Sequence, residues 1–265
     1  MLNLPKIFTV ILIFLITTSI PSKSDEVETD KVETSSLDYN TSPHDEEIYD
    51  PFEPVNRVIF KFNNAADKVV LEPASKGYRK LPSPVQTGIG NFFSNLKLPL
   101  VIVNQFLQGQ FKNAASSTGR LVINTTVGIG GLVDVAEKVG LEEKEEDFGQ
   151  TLAPWGVGSG PYLVLPIFGP SNLRDAGGMF ITSATDPVNL YMIDQGEGEW
   201  ITFRTAGTAI DQISKIIDEV NTLRENSVDY YAAVRSSYYQ NRDAAIANRD
   251  DTMLTPVPVI SVEFE

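Results

Sequence analysis

The chain has 265 residues, 42% of them hydrophobic, with 21 basic against 35 acidic side chains, one histidine and no cysteine. Its length and apolar fraction suffice for one or two packed domains, and a net charge of −14 opposes binding to nucleic acid, whose phosphates such a surface repels. The missing cysteine excludes disulfides, thiolate metal sites, iron–sulfur clusters, a cysteine nucleophile and a lipidated Cys, and the lone His44 leaves little for an imidazole metal site or a Ser-His-Asp triad.

Residues 7–20 form an unbroken run rich in Ile, Leu, Phe and Thr behind Lys6. The run is shorter than the ~20 residues a comfortable membrane span needs and fits the apolar region of a signal peptide. Small residues at Ser22 and Ser24 place cleavage before Asp25, giving a leader of residues 1–24; an uncleaved N-terminal anchor is the alternative. Residues 25–50 then carry ten acids against Lys31 alone. So polar a segment cannot bury enough surface to offset its ordering entropy, and residues 25–49 read as an acidic, disordered tether.

The body, residues 50–250, reads as helices punctuated by Gly and Pro. Val55, Val58, Ile59, Phe62, Ala66 and Val69 recur at helical spacing after Pro54. Ser83-Pro84 opens a second helix through Val85, Ile89, Phe92, Phe93 and Leu96, which Pro99 closes, followed by a short apolar piece ended by Gly109. Phe111, Ala114, Ala115, Thr118, Leu121, Val122 and Thr125 mark another, stopped by Gly128, Gly130 and Gly131. Ser171 is placed to cap a helix over residues 173–184. Ile201, Ile210, Ile213, Ile217, Val220 and Leu223 make a long amphipathic stripe, and Ser227 starts a last helix bearing Tyr230, Tyr231, Val234 and Tyr238. Strand-like alternation is confined to residues 162–167, which Pro161 and Pro166 restrict to a short edge. The fold class is therefore all-α with irregular joints, and residues 251–265 form a tail.

Three stretches carry a functional and a structural reading together. Gly156, Gly158 and Gly160 superficially resemble a phosphate loop, but no strand precedes them and no GK[ST] ending follows, so a turn that lines a ligand surface is favoured. The acidic run at residues 142–147 lacks the alternating ligand spacing of a Ca²⁺ loop and reads as solvated. The apolar runs at residues 98–103 and 162–168 fit either a core or a segment lying in one leaflet of a bilayer. No carboxylate pair among Asp134, Glu137, Asp175 and Asp186 is fixed at a working separation for glycoside chemistry.

Several strings taken together are more specific. Asp50-Pro51-Phe-Glu followed by Asn56-Arg57, then Asn104 through Gly109, Arg120 with Asn124, and Gly128 through Asp134 resemble the VacJ/MlaA family of Gram-negative outer-membrane lipoproteins. So do Asp147-Phe148-Gly149, Trp155 through Pro161-Tyr162, Leu165-Pro166, Gly169-Pro170 and Leu173-Arg174-Asp175, and the resemblance runs in order over roughly residues 48–250.

The resemblance implies a non-enzymatic phospholipid handler, without cofactor or metal. It implies a ring-like assembly of amphipathic helices, membrane-embedded in the inner leaflet of the outer membrane, that removes mislocalised phospholipid from the outer leaflet and preserves lipid asymmetry. The implied partners are phospholipids, a trimeric outer-membrane porin and a periplasmic lipid carrier protein. On this chain the lipid passage is assigned to Phe62, Asn63 and the glycine joints Gly128, Gly130, Gly131, Gly156, Gly158 and Gly160. Arg57, Arg120 and Arg174 are candidates for head-group contacts, with ion pairs to Asp134 or Asp175 as the alternative. A porin adaptor that moves no lipid and a periplasmic lipid hydrolase are the other functional readings. The family's lipidated N-terminal cysteine has no counterpart in this sequence.

Overall fold

The computed structural model describes residues 48–248, which belong to one compact unit. The leader, the tether up to residue 47 and the C-terminal tail lie outside the described residues. The unit is mostly helical. Helix α1 (Glu53–Ala66), with Pro54 in its first turn, passes into a π-helical segment (Asp67–Leu71) and then α2 (Glu72–Tyr78). Helix α3 (Ser83–Leu107) turns back into α4 (Phe111–Thr126), and the short helices α5 (Val135–Lys138) and α6 (Phe148–Leu152) follow. A hairpin of β1 (Tyr162–Leu165) and β2 (Gly169–Asn172) leads to α7 (Leu173–Thr185), α8 (Pro187–Asp194), α9 (Glu199–Asn226) and α10 (Tyr230–Ile246).

Several joints differ from the expectation. Pro99 does not close a helix: α3 runs through it for 25 residues. An interior proline costs about 3 kcal/mol, but Leu98 and Val101 on either side are buried where α3 packs along α4, and that packing outweighs the lost backbone bond. The helix ends instead where Gly109 adopts a left-handed φ of 74° and the Gln110 amide returns to the Gln105 carbonyl at 2.8 Å. The cap of α7 is Asn172, whose side-chain oxygen accepts from the Asp175 amide at 2.8 Å, because Ser171 is committed to β2. Likewise Asp229 rather than Ser227 caps α10.

The short strand expected at residues 162–167 is present as β1, but the all-α expectation missed its partner β2 and hence the hairpin. Its strands pair antiparallel, Tyr162 with Asn172 through Leu165 with Gly169. Tyr162 and Val164, two residues apart and hence on one face, form a small core with Tyr231 of α10, edged by Ile48, Ile59, Phe60, Tyr238 and Tyr239. The Tyr162 ring lies 6.0–6.1 Å from those of Tyr231, Tyr238 and Tyr239. Gly149 and Gly178 let α6 and α7 touch: a Cβ on Gly178 would lie 2.5 Å from the Gly149 amide nitrogen.

Among the described residues nine hydrophobic side chains are buried against twenty polar or charged ones, while thirty-two large hydrophobics are exposed. That distribution inverts the usual sorting of a protein surrounded by water. Val55, Val58 and Phe62, which supply the apolar stripe of α1, are all more than half exposed, and the buried positions of that helix are Asn56 and Asn63. No described helix is long and apolar enough to cross a membrane.

Candidate functional site

A cavity of about 1430 Å³ opens between α1, the π segment, the start of β2, α9 and α10. Sites for small ligands usually span about 300–1,000 Å³, so this one admits a larger, elongated guest. Its wall is predominantly apolar: Ile213, Ile217, Val220 and Leu223 from α9 face Phe60 and Leu71, with Tyr230 and Val234 from α10. The stripe expected on α9 therefore spends much of its apolar face on a void. Polar groups break the wall at Asn63, Asn64 and Asp67 on one side and at Arg224, Tyr238 and Arg242 on the other.

Two polar devices hold this wall. Along α1, the Asn56 amide donates to the Tyr162 carbonyl at 3.0 Å and accepts from the Val164 amide at 2.9 Å. Two turns later, Asn63 donates to the Leu165 carbonyl at 2.9 Å and accepts from the Ile167 amide at 2.8 Å. Each side chain thus imitates a neighbouring strand and satisfies the free edge of β1. The spacing is commensurate, because seven residues of helix rise about 10.5 Å and three residues of strand span about 10 Å.

The second device is a pair of ionic clasps on α10. Asp50 accepts from Tyr231 Oη at 2.5 Å, Arg235 Nη1 at 2.7 Å and Asn56 Nδ2 at 2.8 Å, tying α10 to the entry of α1. On the next two turns, Arg242 forks onto Asp147 at 2.6 and 2.7 Å and reaches Asp175 at 2.6 Å, while Tyr238 donates to Asp175 at 2.5 Å. Burial pushes the Asp147 carboxyl up, but the Arg242 fork and the Gln150 amide pull it below the usual carboxylate range. Burial and the Asp175 hydrogen bond both push the Tyr238 hydroxyl up, so it stays a donor. No group of three or more His, Cys, Asp or Glu side chains among the described residues is arranged to hold a metal ion.

The MlaA lipoprotein family profile matches residues 48–245, which hold the cavity, the hairpin and both clasps. The chain belongs to the MlaA lipoprotein family. It is 35% identical over 199 residues to the Escherichia coli intermembrane phospholipid transport system lipoprotein MlaA, covering 73% of this chain and 77% of that one. The protein of the same name in Haemophilus influenzae is 33% identical over 213 residues, covering 78% and 83% of the two chains. A Rickettsia bellii protein named only as uncharacterized is 40% identical over 208 residues, 76% of this chain and 78% of that one. A chain solved in work on the structural basis for maintenance of bacterial outer membrane lipid asymmetry superposes with a TM-score of 0.63 at 36% identity, covering 74% of this chain and 98% of that one.

Seen on the structure, the residues on which the sequence resemblance rests are mostly joints. Asp50 and Asn56 form the first clasp, with Pro51 in the turn between them. Asn104 accepts from Thr151 Oγ1 at 2.8 Å, joining α3 to α6, and Gly109 turns the chain into α4. Asn124 Oδ1 accepts the Val135 and Ala136 amides, each at 2.9 Å, while Asp134 caps α5 and pairs with Arg120 at 2.6 Å. Phe148 stands edge-on to Trp155, and Gly149 leaves room for the Arg242 clasp, since a Cβ there would lie 2.5 Å from Arg242 Nη2. Pro161 accepts from the Leu173 amide at 3.2 Å, Tyr162 centres the aromatic core, Pro166 begins the hairpin turn and Asp175 anchors α10.

Of the residues assigned to a lipid passage, Asn63 lies on the cavity wall. Phe62 faces outward and is not part of that wall; Gly128, Gly130 and Gly131 turn α4 into α5, and Gly156, Gly158 and Gly160 lead into β1, also away from it. The three candidate head-group arginines are not on the wall either. Arg57 pairs with Glu53 at 2.7 Å and Asp229 at 2.6 Å and lies 4.3 Å over the Tyr231 ring. Arg120 pairs with Asp134 and donates to the Leu141 carbonyl, and Arg174 pairs with Asp175 at 3.0 Å. Sequence reading missed the guanidiniums that do face the cavity, Arg224 and Arg242. The available signal for Arg242 was its place four residues after Tyr238 on one face of α10; Arg224 closes the apolar stripe of α9 one residue after Leu223.

Proposed function

We propose that this chain moves phospholipid at the outer membrane, extracting molecules misplaced in the outer leaflet and so preserving lipid asymmetry, as the names of its relatives imply for them. The cavity carries this reading: its apolar wall suits acyl chains and its polar breaks suit a head group. The exposed apolar side chains that surround a polar interior support a body seated in one leaflet as a ring-like helical assembly. That seating would hold the protein at the membrane without a thioether lipid, for which the chain has no cysteine. Export through the predicted leader, docking on a trimeric porin and hand-over to a periplasmic carrier complete the proposal.

The test is to purify the full chain from native envelopes in mild detergent, extract it with solvent and count phospholipid by mass spectrometry. About one phospholipid per chain is expected from the cavity volume, and Ala233→Trp, which places an indole in the cavity, is expected to lower the yield several-fold. A lipid-free wild type, together with unchanged outer-leaflet phospholipid in cells lacking the chain, would overturn the proposal and leave a porin adaptor.

A further inference from the structure

The charges on the cavity wall are not equivalent. Its two cations are already committed: Arg242 to Asp147 and Asp175, and Arg224 to Asn221 at 2.8 Å and Glu72 at 3.9 Å, with its guanidinium 5.6 Å over the Tyr230 ring. Of the acids on the wall, Glu72 is held by Lys76, Asp218 by Arg79 and Asp229 by Arg57. The side-chain carboxylates of Asp67 and Glu219 accept no hydrogen bond and enter no ion pair within 4 Å among the described residues, although both residues line the cavity. A guest therefore meets open acceptors and no free cation.

Asp67 occupies a special place in the backbone. It opens the π-helical segment, in which the Glu72 amide bonds back to the Asp67 carbonyl, five residues away. Such a widened turn is rare and recurs at functional sites. Here it sets Asp67 and Leu71 on the cavity wall and leaves Lys68, Val69 and Val70 exposed. Three residues earlier on the same face is Asn64, also on the wall, whose side-chain oxygen is buried without a donor. Burial pushes the Asp67 carboxyl above its ordinary value, with Arg224 pulling the other way. A poorly solvated carboxylate beside an orphan acceptor gains most from a guest that brings both positive charge and N–H donors.

We infer that the cavity selects phospholipids whose head group carries a primary ammonium, with Asp67 as the residue that discriminates them from anionic head groups. The inference rests on the lipid-handling proposal. Phosphatidylethanolamine and phosphatidylglycerol share the phosphate, so the wall distinguishes them through the ammonium alone, and the glycerol head group would leave the phosphate charge facing carboxylates.

The experiment equilibrates the detergent-purified full chain with mixed micelles holding equal palmitoyl-oleoyl phosphatidylethanolamine and phosphatidylglycerol, re-isolates it and reads the ratio of bound lipids by mass spectrometry. A half-buried charge contact predicts enrichment of the ethanolamine lipid by about fivefold. Asp67→Asn should bring the ratio towards one and Asp67→Lys should invert it; circular dichroism confirms that each variant retains its helices. Lipid bound without enrichment, enrichment of the glycerol lipid, or a ratio untouched by both variants would overturn the inference while leaving lipid handling intact. Absence of any bound lipid would instead overturn the lipid-handling reading, and this inference with it.

Discussion

Replacing Arg242 with methionine is expected to destabilise the fold by about 3 kcal/mol, the lower end for removing one partner of a buried ion cluster. The fork onto Asp147 and the contact with Asp175 hold α10 against α6 and α7. Methionine retains most of the packing volume but leaves two carboxylates facing each other without the intervening charge. Asp147 is only half buried, which keeps the figure at the low end. Denaturant unfolding in mild detergent measures the effect, and Asp175→Asn in the same chain should restore part of it. The pH profile supplies an independent readout. Asp147, Asp134 and Asp229 are all held below the ordinary carboxylate range, so their stabilisation is complete above about pH 4 and drains away as pH falls further. Glu146, pushed up by burial, acts in the opposite sense. Wild type should therefore lose melting temperature steeply below pH 4, and the Arg242 variant distinctly less so.

The second large effect is expected at Asn56. Leucine there is close in size, yet it strips the Tyr162 carbonyl and the Val164 amide of their partner on a buried strand edge. An orphaned buried group costs about 1–3 kcal/mol, so the pair predicts a loss of about 2–6 kcal/mol. Hydrogen exchange makes the assignment specific: Asn56→Leu should speed exchange at the Val164 amide, and Asn63→Leu at the Ile167 amide. If both amides keep their protection, the side-chain amides are not what closes this edge.

Much of the helical framework was legible because periodicity is strong where a helix is long. The apolar spacing read over residues 111–125 and 201–223 falls inside the observed helices Phe111–Thr126 and Glu199–Asn226. Pro99 misled because local propensity was weighed without the packing of Leu98 and Val101 that overrides it. Strand β2 reads Gly-Pro-Ser-Asn, which has no strand propensity of its own; pairing with β1 and its position before a capped helix create it. The site was harder. Hydrophobic patterning assumes that apolar faces point inward, and on α1 they point outward while Asn56 and Asn63 turn in. A run of isoleucines facing a cavity is indistinguishable in sequence from one facing a core. The strings that carry the family resemblance fall mostly on joints rather than on the wall; a joint needs particular side chains, whereas an apolar wall accepts many.

A thermodynamic consequence follows from the side chains that are left outside. The heat-capacity change of unfolding scales with the apolar area that folding removes from water, about 12–15 cal/mol/K per residue in ordinary globular chains. With nine hydrophobic side chains buried among the described residues and thirty-two large ones exposed, this protein removes unusually little. Its stability curve is accordingly expected to be shallow: cooling should weaken it little, and its resistance to heat should rest on the enthalpy of its polar joints more than on the temperature-dependent ordering of water, which calorimetry in mild detergent would read as a low heat-capacity change.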